Sequence, residues 1–491
     1  MNVNVNATAP WLDGIALADQ IARRDRTPAE VLDEAIGRAE KVNPTLNALS
    51  EALFDQARAA AAQIVPGAAP LAGVPTLVKD LFAPLAGARM TNGSLTCSEA
   101  VAPHDAEVVA RLKRAGTVIF GTTTSPEFGS SYTTESRLFG ATRNPWNPER
   151  SAGGSSGGAA AMVAARVVPF AHGNDGGGSL RVPASACGVF GLKPTRGRVP
   201  MGPDVGEGWA GMGTNHVISV SVRDSALALD MLAGADAGAP YAAPHDEARF
   251  LSALAERPQG LRIGLVTALA PWDSDPLCIA AARDAAALCE DLGHPVEETA
   301  LPVDAPALLD SIFTIIGAQT RHLVDTIARQ SGRPVDETQL DPVQVLILRD
   351  KGGVSGAEYA GAVDAIHALG RWMAALFQDY DLLLMPTTAK PAPPIGALRV
   401  ETGASLAQYI ELSHSYSPFT AIFNASGQPA MSVPLFWTPD GLPIGNAVTV
   451  DDAIRHAIDM GIDRQVLVEV ALGGFGSPAT GPADGLPWGN A

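Results

Sequence analysis

The segment Ser151–Arg181, SAGGSSGGAAAMVAARVVPFAHGNDGGGSLR, restricts this chain more than any other. It holds two glycine clusters, each carrying serine, with a run of small residues between them. Glycine admits backbone conformations closed to other residues and lets a second backbone or a ligand approach where a Cβ would stand. Ala159–Arg166 reads as a helix whose small side chains allow close packing, and Val167–Ala171 as a short strand running into the second cluster. Consecutive N–H groups in such a turn form a nest for negative charge. A serine at its end can attack a carbonyl while neighbouring N–H groups hold the oxyanion. Taken alone, GGGS is equally a flexible or tightly packed loop.

The surrounding text reads as an α/β layered chain. Thr27-Pro28-Ala29-Glu30 joins an N-cap, a proline at the first helical position and a capping-box glutamate. The helix it starts is predicted to end before Asn43-Pro44. A second helix is predicted over 51–64, and others over 105–115, 224–233, 276–291, 305–329 and 356–377. Predicted strands cover 71–78, 117–120, 261–266, 381–385 and 430–435, and this alternation suits a sheet between helical layers. The 71–78 strand delivers Lys79-Asp80 at its end.

Bulk properties narrow the function. A net charge of −18 opposes nucleic-acid binding, because phosphates would be repelled. Met1–Pro10 has neither a basic nor an apolar signal region, and no apolar run reaches membrane-spanning length. Cys97, Cys187, Cys278 and Cys289 show no CxxC pairing, so neither a metal site nor a disulfide framework is expected. These features predict a cytoplasmic protein, with no cofactor and no membrane or nucleic-acid partner.

Several long motifs occur in a fixed order: Gly73–Asp80 (GVPTLVKD), Gly153–Gly158 (GGSSGG), Asp175–Ala184 (DGGGSLRVPA) and Cys187–Thr195 (CGVFGLKPT). With Ser155 and Ser179 24 residues apart, this pattern resembles the amidase signature family, from about residue 12 to about 446. The resemblance implies an α/β fold with a central mixed, twisted β-sheet flanked by helices on both faces. It implies a serine hydrolase that cleaves C–N bonds through an acyl-enzyme. Ser179 would be the nucleophile, Ser155 (reached through a cis peptide) the bridging proton shuttle, and Lys79 the base. The N–H groups of Gly176, Gly177, Gly178 and Ser179 would form the oxyanion hole. Lys79 must then be neutral, although a free lysine titrates at about 10.4; burial at a strand end disfavours its charged form.

Two other readings compete. Gly153–Gly157 also fits G-x-S-x-G, the nucleophile elbow of an α/β-hydrolase-like esterase using Ser155, but an elbow must follow a strand and residues 143–152 do not read as one. A glutamine-dependent amidotransferase-type subunit shares the same signature. His104, His172 and His414 are conceivable acid–base groups, yet none matches a catalytic position of the family, and His172 reads as structural.

The text of Thr124–Trp146, His172–Asp175 and Thr195–Pro203 resembles the nylon-oligomer-hydrolysing branch of the family. Its members take linear or cyclic amides, aryl amides, some esters and, in some cases, carbamates. The expected partner is therefore a small-molecule amide, bound by a monomer or homodimer. Ser130 and Ser131 are expected in the substrate pocket. Ile316 is a further candidate, with a core role as its alternative.

The resemblance implies one amidase signature domain over 1–450. Asn424–Pro434 and Gly441–Gly445 match the family's closing strands. From Asp451 the chain departs and resembles a fragment of an ABC-transporter peptide-binding protein. The 451–491 tail is expected to be partly helical with a loosely ordered end, and residues 473–491 to be dispensable for activity.

Overall fold

The structure, a computed structural model, describes residues 12–242, 250–255, 258–301 and 303–450. The expectations for Met1–Pro10 and for the 451–491 tail lie outside those residues.

Eight strands form a mixed sheet. Across it lie Val296–Glu298, Ile263–Leu265, Leu382–Pro386, Pro443–Val450, Ala430–Trp437, Phe190–Lys193, Thr214–Ser219 and Phe170–Asp175. The first three strands run parallel to one another, and every later neighbour is antiparallel. Three further strands, Leu49–Ala52, Val118–Thr123 and Pro75–Lys79, make a small sheet. Pro75–Lys79 lies beside Phe170–Asp175, where the Thr76 hydroxyl donates to Phe170 O at 3.0 Å and Lys79 N–H to His172 Nδ1 at 3.3 Å.

Alternate strand residues feed opposite helical layers, as the pleat requires. Phe170, Val217, Leu382 and Leu384 enter one core cluster. Their neighbours Ala171 and Ile218 enter a second, and Leu383 and Met385 a third. The fold is thus α/β, with helices on both faces of a mixed sheet. No helix among the described residues is long and apolar enough to cross a membrane.

Tertiary pairing moved several expected boundaries. The capping box at Thr27 forms as read, but its helix runs through Pro44 to Leu46. The Asn43 carboxamide then takes the N–H groups of Ala48 and Leu49. The segment predicted as one helix over 51–64 divides, because Leu49–Ala52 pairs with Val118–Thr123 and only Phe54–Ala61 is helical. The strand expected over 167–171 is shifted to Phe170–Asp175, held through Asp175 by its ladder with Thr214–Ser219. That shift carries Asn174 and Asp175 to the mouth of the glycine turn.

Candidate active site

Lys79 closes a strand whose five residues are all buried, and no part of its own surface is exposed. Its Nζ lies 2.7 Å from Ser155 Oγ and 2.6 Å from Asn174 Oδ1. The Asn174 amide is itself oriented, donating through Nδ2 to Leu81 O at 2.8 Å. Burial drives the lysine's pKa well below its ordinary value, against the opposing pull of Asp175. Sequence reasoning passed over Asn174, although it stands in the quoted HGND run.

Ser155 sits where two glycines let the chain turn tightly. Gly153 has φ +76°, and a Cβ on Gly154 would come within 2.7 Å of the Thr133 backbone. The Gly154–Ser155 peptide is cis. Thr134 pins this turn, its hydroxyl donating to Gly153 O at 2.8 Å while accepting from Gly157 N–H at 3.0 Å. The fully buried helix Gly157–Ala164 follows. Arg143, Arg150 and Ser151 make only isolated bridges, so no strand feeds Ser155 and the elbow context is absent.

The second glycine cluster is organised by Asp175. Its carboxylate accepts Gly178 N–H at 2.7 Å and Leu180 N–H at 3.1 Å, and both oxygens meet the Arg181 guanidinium at 2.9 Å. Gly178, at φ +141°, has no room for a Cβ, which would meet Thr420 Oγ1 at 2.4 Å. Gly177 O accepts the Thr420 hydroxyl at 2.6 Å and the Tyr132 hydroxyl at 3.1 Å. This corrects one expectation: Gly178 N–H is consumed by Asp175 and does not face the pocket. Gly176, Gly177 and Ser179 do line it.

The two serine-bearing loops meet through the backbone of the next residue, Ser156 N–H donating to Ser179 O at 3.3 Å. Among the described residues, no hydrogen bond joins Ser155 Oγ to Ser179 Oγ. Contacts of this kind are often long before substrate binds.

Beyond Ser179 lies a pocket walled by Gly129, Ser130, Ser131 and Tyr132, by Trp209, by Ile312, Phe313 and Ile316, and by Tyr409, Ser413, His414 and Ala421. The structure thus places Ser130, Ser131 and Ile316 on its walls; Ile316 is also part of a core cluster. Ser130 Oγ has no partner among the described residues, whereas Ser131 Oγ accepts Thr133 N–H at 3.1 Å. No lining residue carries a formal charge, since burial lowers His414 to about 4. His172 is likewise lowered by burial to about 4 and braces the strands, accepting from Lys79 N–H. His104 pairs with Asp204 at 2.8 Å on the surface.

Known proteins share this fold. A family model described as Amidase matches residues 30–451. The 6-aminohexanoate-cyclic-dimer hydrolase of Paenarthrobacter ureafaciens is 38% identical over 451 residues, covering 89% of this chain and 90% of the relative. The solved structure of a 6-aminohexanoate cyclic dimer hydrolase complexed with substrate superposes with a TM-score of 0.87 at 36% identity, covering 94% of this chain and 97% of that one. A bacterial aryl acylamidase of the amidase signature family gives 0.85 at 28% identity, covering 94% and 96%.

Proposed function

The chain belongs to the amidase family and is an amide hydrolase, and from that premise we infer that it cleaves small, uncharged amides through Ser179, Ser155 and Lys79. One observation carries the reading: Lys79, with no exposed surface, lies 2.7 Å from the hydroxyl of Ser155. With Lys79 neutral, the Ser155 hydroxyl donates to the Nζ lone pair and can accept the Ser179 proton. Ser179 Oγ then attacks the carbonyl, forming a C–O bond as the carbonyl π electrons move to oxygen. The N–H groups of Gly176, Gly177 and Ser179 are the donors available to that oxyanion. Ser155 returns the proton to the leaving nitrogen, the C–N bond breaks, and water clears the ester.

The pocket favours substrates without charge. A free amino acid such as glutamine would bury an ammonium and a carboxylate against residues that carry no counter-charge, at a cost of several kcal/mol per ion. An uncharged cyclic amide, an anilide, an aryl carbamate or an ester avoids that cost. Ser130 Oγ can hydrogen-bond such a ligand without losing another described partner. Four unpaired thiols support a reducing compartment, the cytoplasm, where the protein would act as a monomer or homodimer.

The test is hydrolysis of nitroanilides, 6-aminohexanoate cyclic dimer and small aryl carbamates by the wild type and by Ser179→Ala. A fall of about 10³-fold or more is expected, and phenylmethanesulfonyl fluoride should label Ser179 in the wild type. Undiminished hydrolysis by Ser179→Ala would overturn the mechanism. Activity on glutamine alone would favour the amidotransferase reading.

A further inference from the structure

Trp209, Ala210 and Gly211 are three consecutive residues with positive φ, at +50°, +53° and +80°. Such a conformation is unusual for a bulky residue and persists where surrounding contacts hold it. Here the contacts are specific. Gln319 Oε1 accepts Trp209 N–H at 3.0 Å, while Gln319 Nε2 donates to Tyr359 OH at 3.2 Å, which fixes the amide's orientation. Ala210 and Met212 are buried in the cluster that contains Ile312, Phe313 and Ile316. The turn therefore projects a half-buried indole toward the glycine loop. A Cβ on Gly176 would lie 2.7 Å from the indole Cε3 and Cζ3, so glycine at that position accommodates the ring.

Trp209 consequently belongs to two surfaces. It covers Gly176, and it forms a wall of the pocket that Ile312, Phe313 and Ile316 also line. Those three come from the helix Ala305–Ser331, which also carries Gln319, so the latch and part of the pocket wall share one rigid element.

We propose that Trp209, held by Gln319, is a specificity-determining residue that limits the length of the apolar arm an amide substrate can place in this pocket. The inference rests on the apolar-amide reading above. On that reading, shortening the indole lengthens the pocket and leaves Lys79, Ser155 and Ser179 untouched, while uncovering Gly176, whose N–H is a proposed oxyanion donor. Its signature is therefore a change in selectivity between short and long arms.

Binding separates this from the chemistry. Titration calorimetry of the Ser179→Ala protein with acetanilide, hexananilide and octananilide gives a chain-length ratio that needs no turnover. Adding Trp209→Ala should raise the octananilide-to-acetanilide affinity ratio about tenfold. Trp209→Phe should raise it less, and Gln319→Leu should shift it in the same direction by releasing the turn. A ratio within twofold of the parent, in a Trp209→Ala protein that keeps its melting temperature, overturns the proposal. Should that variant fail to fold, an unchanged ratio in both Trp209→Phe and Gln319→Leu overturns it equally. Binding of none of the anilides would overturn the apolar-amide reading and this inference together. Retained hydrolysis by Ser179→Ala would remove only the nucleophile assignment.

Discussion

Asp175 and Arg181 form an ion pair at 2.9 Å in which neither side chain has any exposed surface. The pair stands at both ends of the glycine loop that carries Ser179. Burial alone would raise the Asp175 pKa, but the Arg181 charge and hydrogen bonds outweigh it and hold the carboxyl far below the usual range. Asp175 is therefore ionised wherever the protein is folded near neutral pH. Asn424 completes the cluster, donating to Asp175 and accepting from Arg181 at 2.6 Å.

Removing one partner leaves the other as a buried charge without compensation. Asp175→Ala is expected to lower stability by about 3–5 kcal/mol, because Arg181 loses its counter-charge while Gly178 N–H and Leu180 N–H lose their acceptor. The double substitution Asp175→Leu with Arg181→Met removes both charges and should melt above the single variant. Equilibrium denaturation of the three proteins checks the order. Equal stability of the single and double variants would show that the charge on Arg181 is not what costs the energy.

Lys79 links activity to pH with a definite sign. The unfolded chain keeps this lysine protonated up to about pH 10.4, whereas the folded protein releases the proton at much lower pH because the side chain is buried. Between those limits the unfolded state binds more protons, so this residue makes stability rise with pH, by about 1.4 kcal/mol per pH unit. Lys79→Met should abolish hydrolysis and remove that slope. The decisive quantity is the variant-minus-wild-type difference in unfolding free energy across pH 6–9. A difference that stays flat would mean that Lys79 is charged in the folded protein.

How much of this was legible beforehand differs residue by residue. Lys79, Ser155 and Ser179 stand in long local motifs, so their chemistry could be read from the text. Asn174 and Asn424 were missed because their roles depend on partners distant along the chain: Lys79 lies 95 residues from the first, Asp175 249 from the second. Thr214–Ser219 reads poorly as a strand since all six positions are buried, which suppresses alternation. The Gly178 N–H was misassigned although its acceptor stands only three positions earlier. Counting glycines in a nest does not show which N–H an adjacent carboxylate will claim. Trp209 left no signal, because nothing in a single sequence marks a tryptophan with positive φ.

Tyr132 offers a test of how rigidly the loop must be held. Its hydroxyl and that of Thr420 both donate to Gly177 O, while Gly178 N–H of the same peptide is fixed by Asp175. That peptide is therefore pinned at both ends beside the N–H groups proposed to meet the oxyanion. Tyr132→Phe keeps the ring and removes one pin. The expected result is a fall in kcat of about tenfold, smaller than the loss of a direct donor, with KM within about twofold. A rise in KM at unchanged kcat would show that the hydroxyl binds substrate instead.

Glu127 lies two residues before Gly129, in the turn that leads into the pocket. Burial pushes its pKa to about 8, against the lowering effect of the Ser94 hydrogen bond, so the carboxyl is mostly protonated at neutral pH. Asp341 N–H donates to Oε2 at 2.6 Å, and Ser94 Oγ lies 2.5 Å from Oε1. A glutamine fits this site, its oxygen taking Asp341 N–H and its amide donating to Ser94. The Ser94 proton is then free for Thr96 Oγ1, 2.7 Å away. The unfolded carboxyl ionises at about 4.3, so from there to about pH 8 the folded state binds more protons and Glu127 makes stability fall with rising pH. Glu127→Gln lacks that slope. Its stability relative to wild type should increase across the window and level off above pH 8, as read by urea midpoints at pH 5, 7 and 9. A variant less stable than wild type at pH 9 would mean that the ionised carboxylate is the form the turn requires.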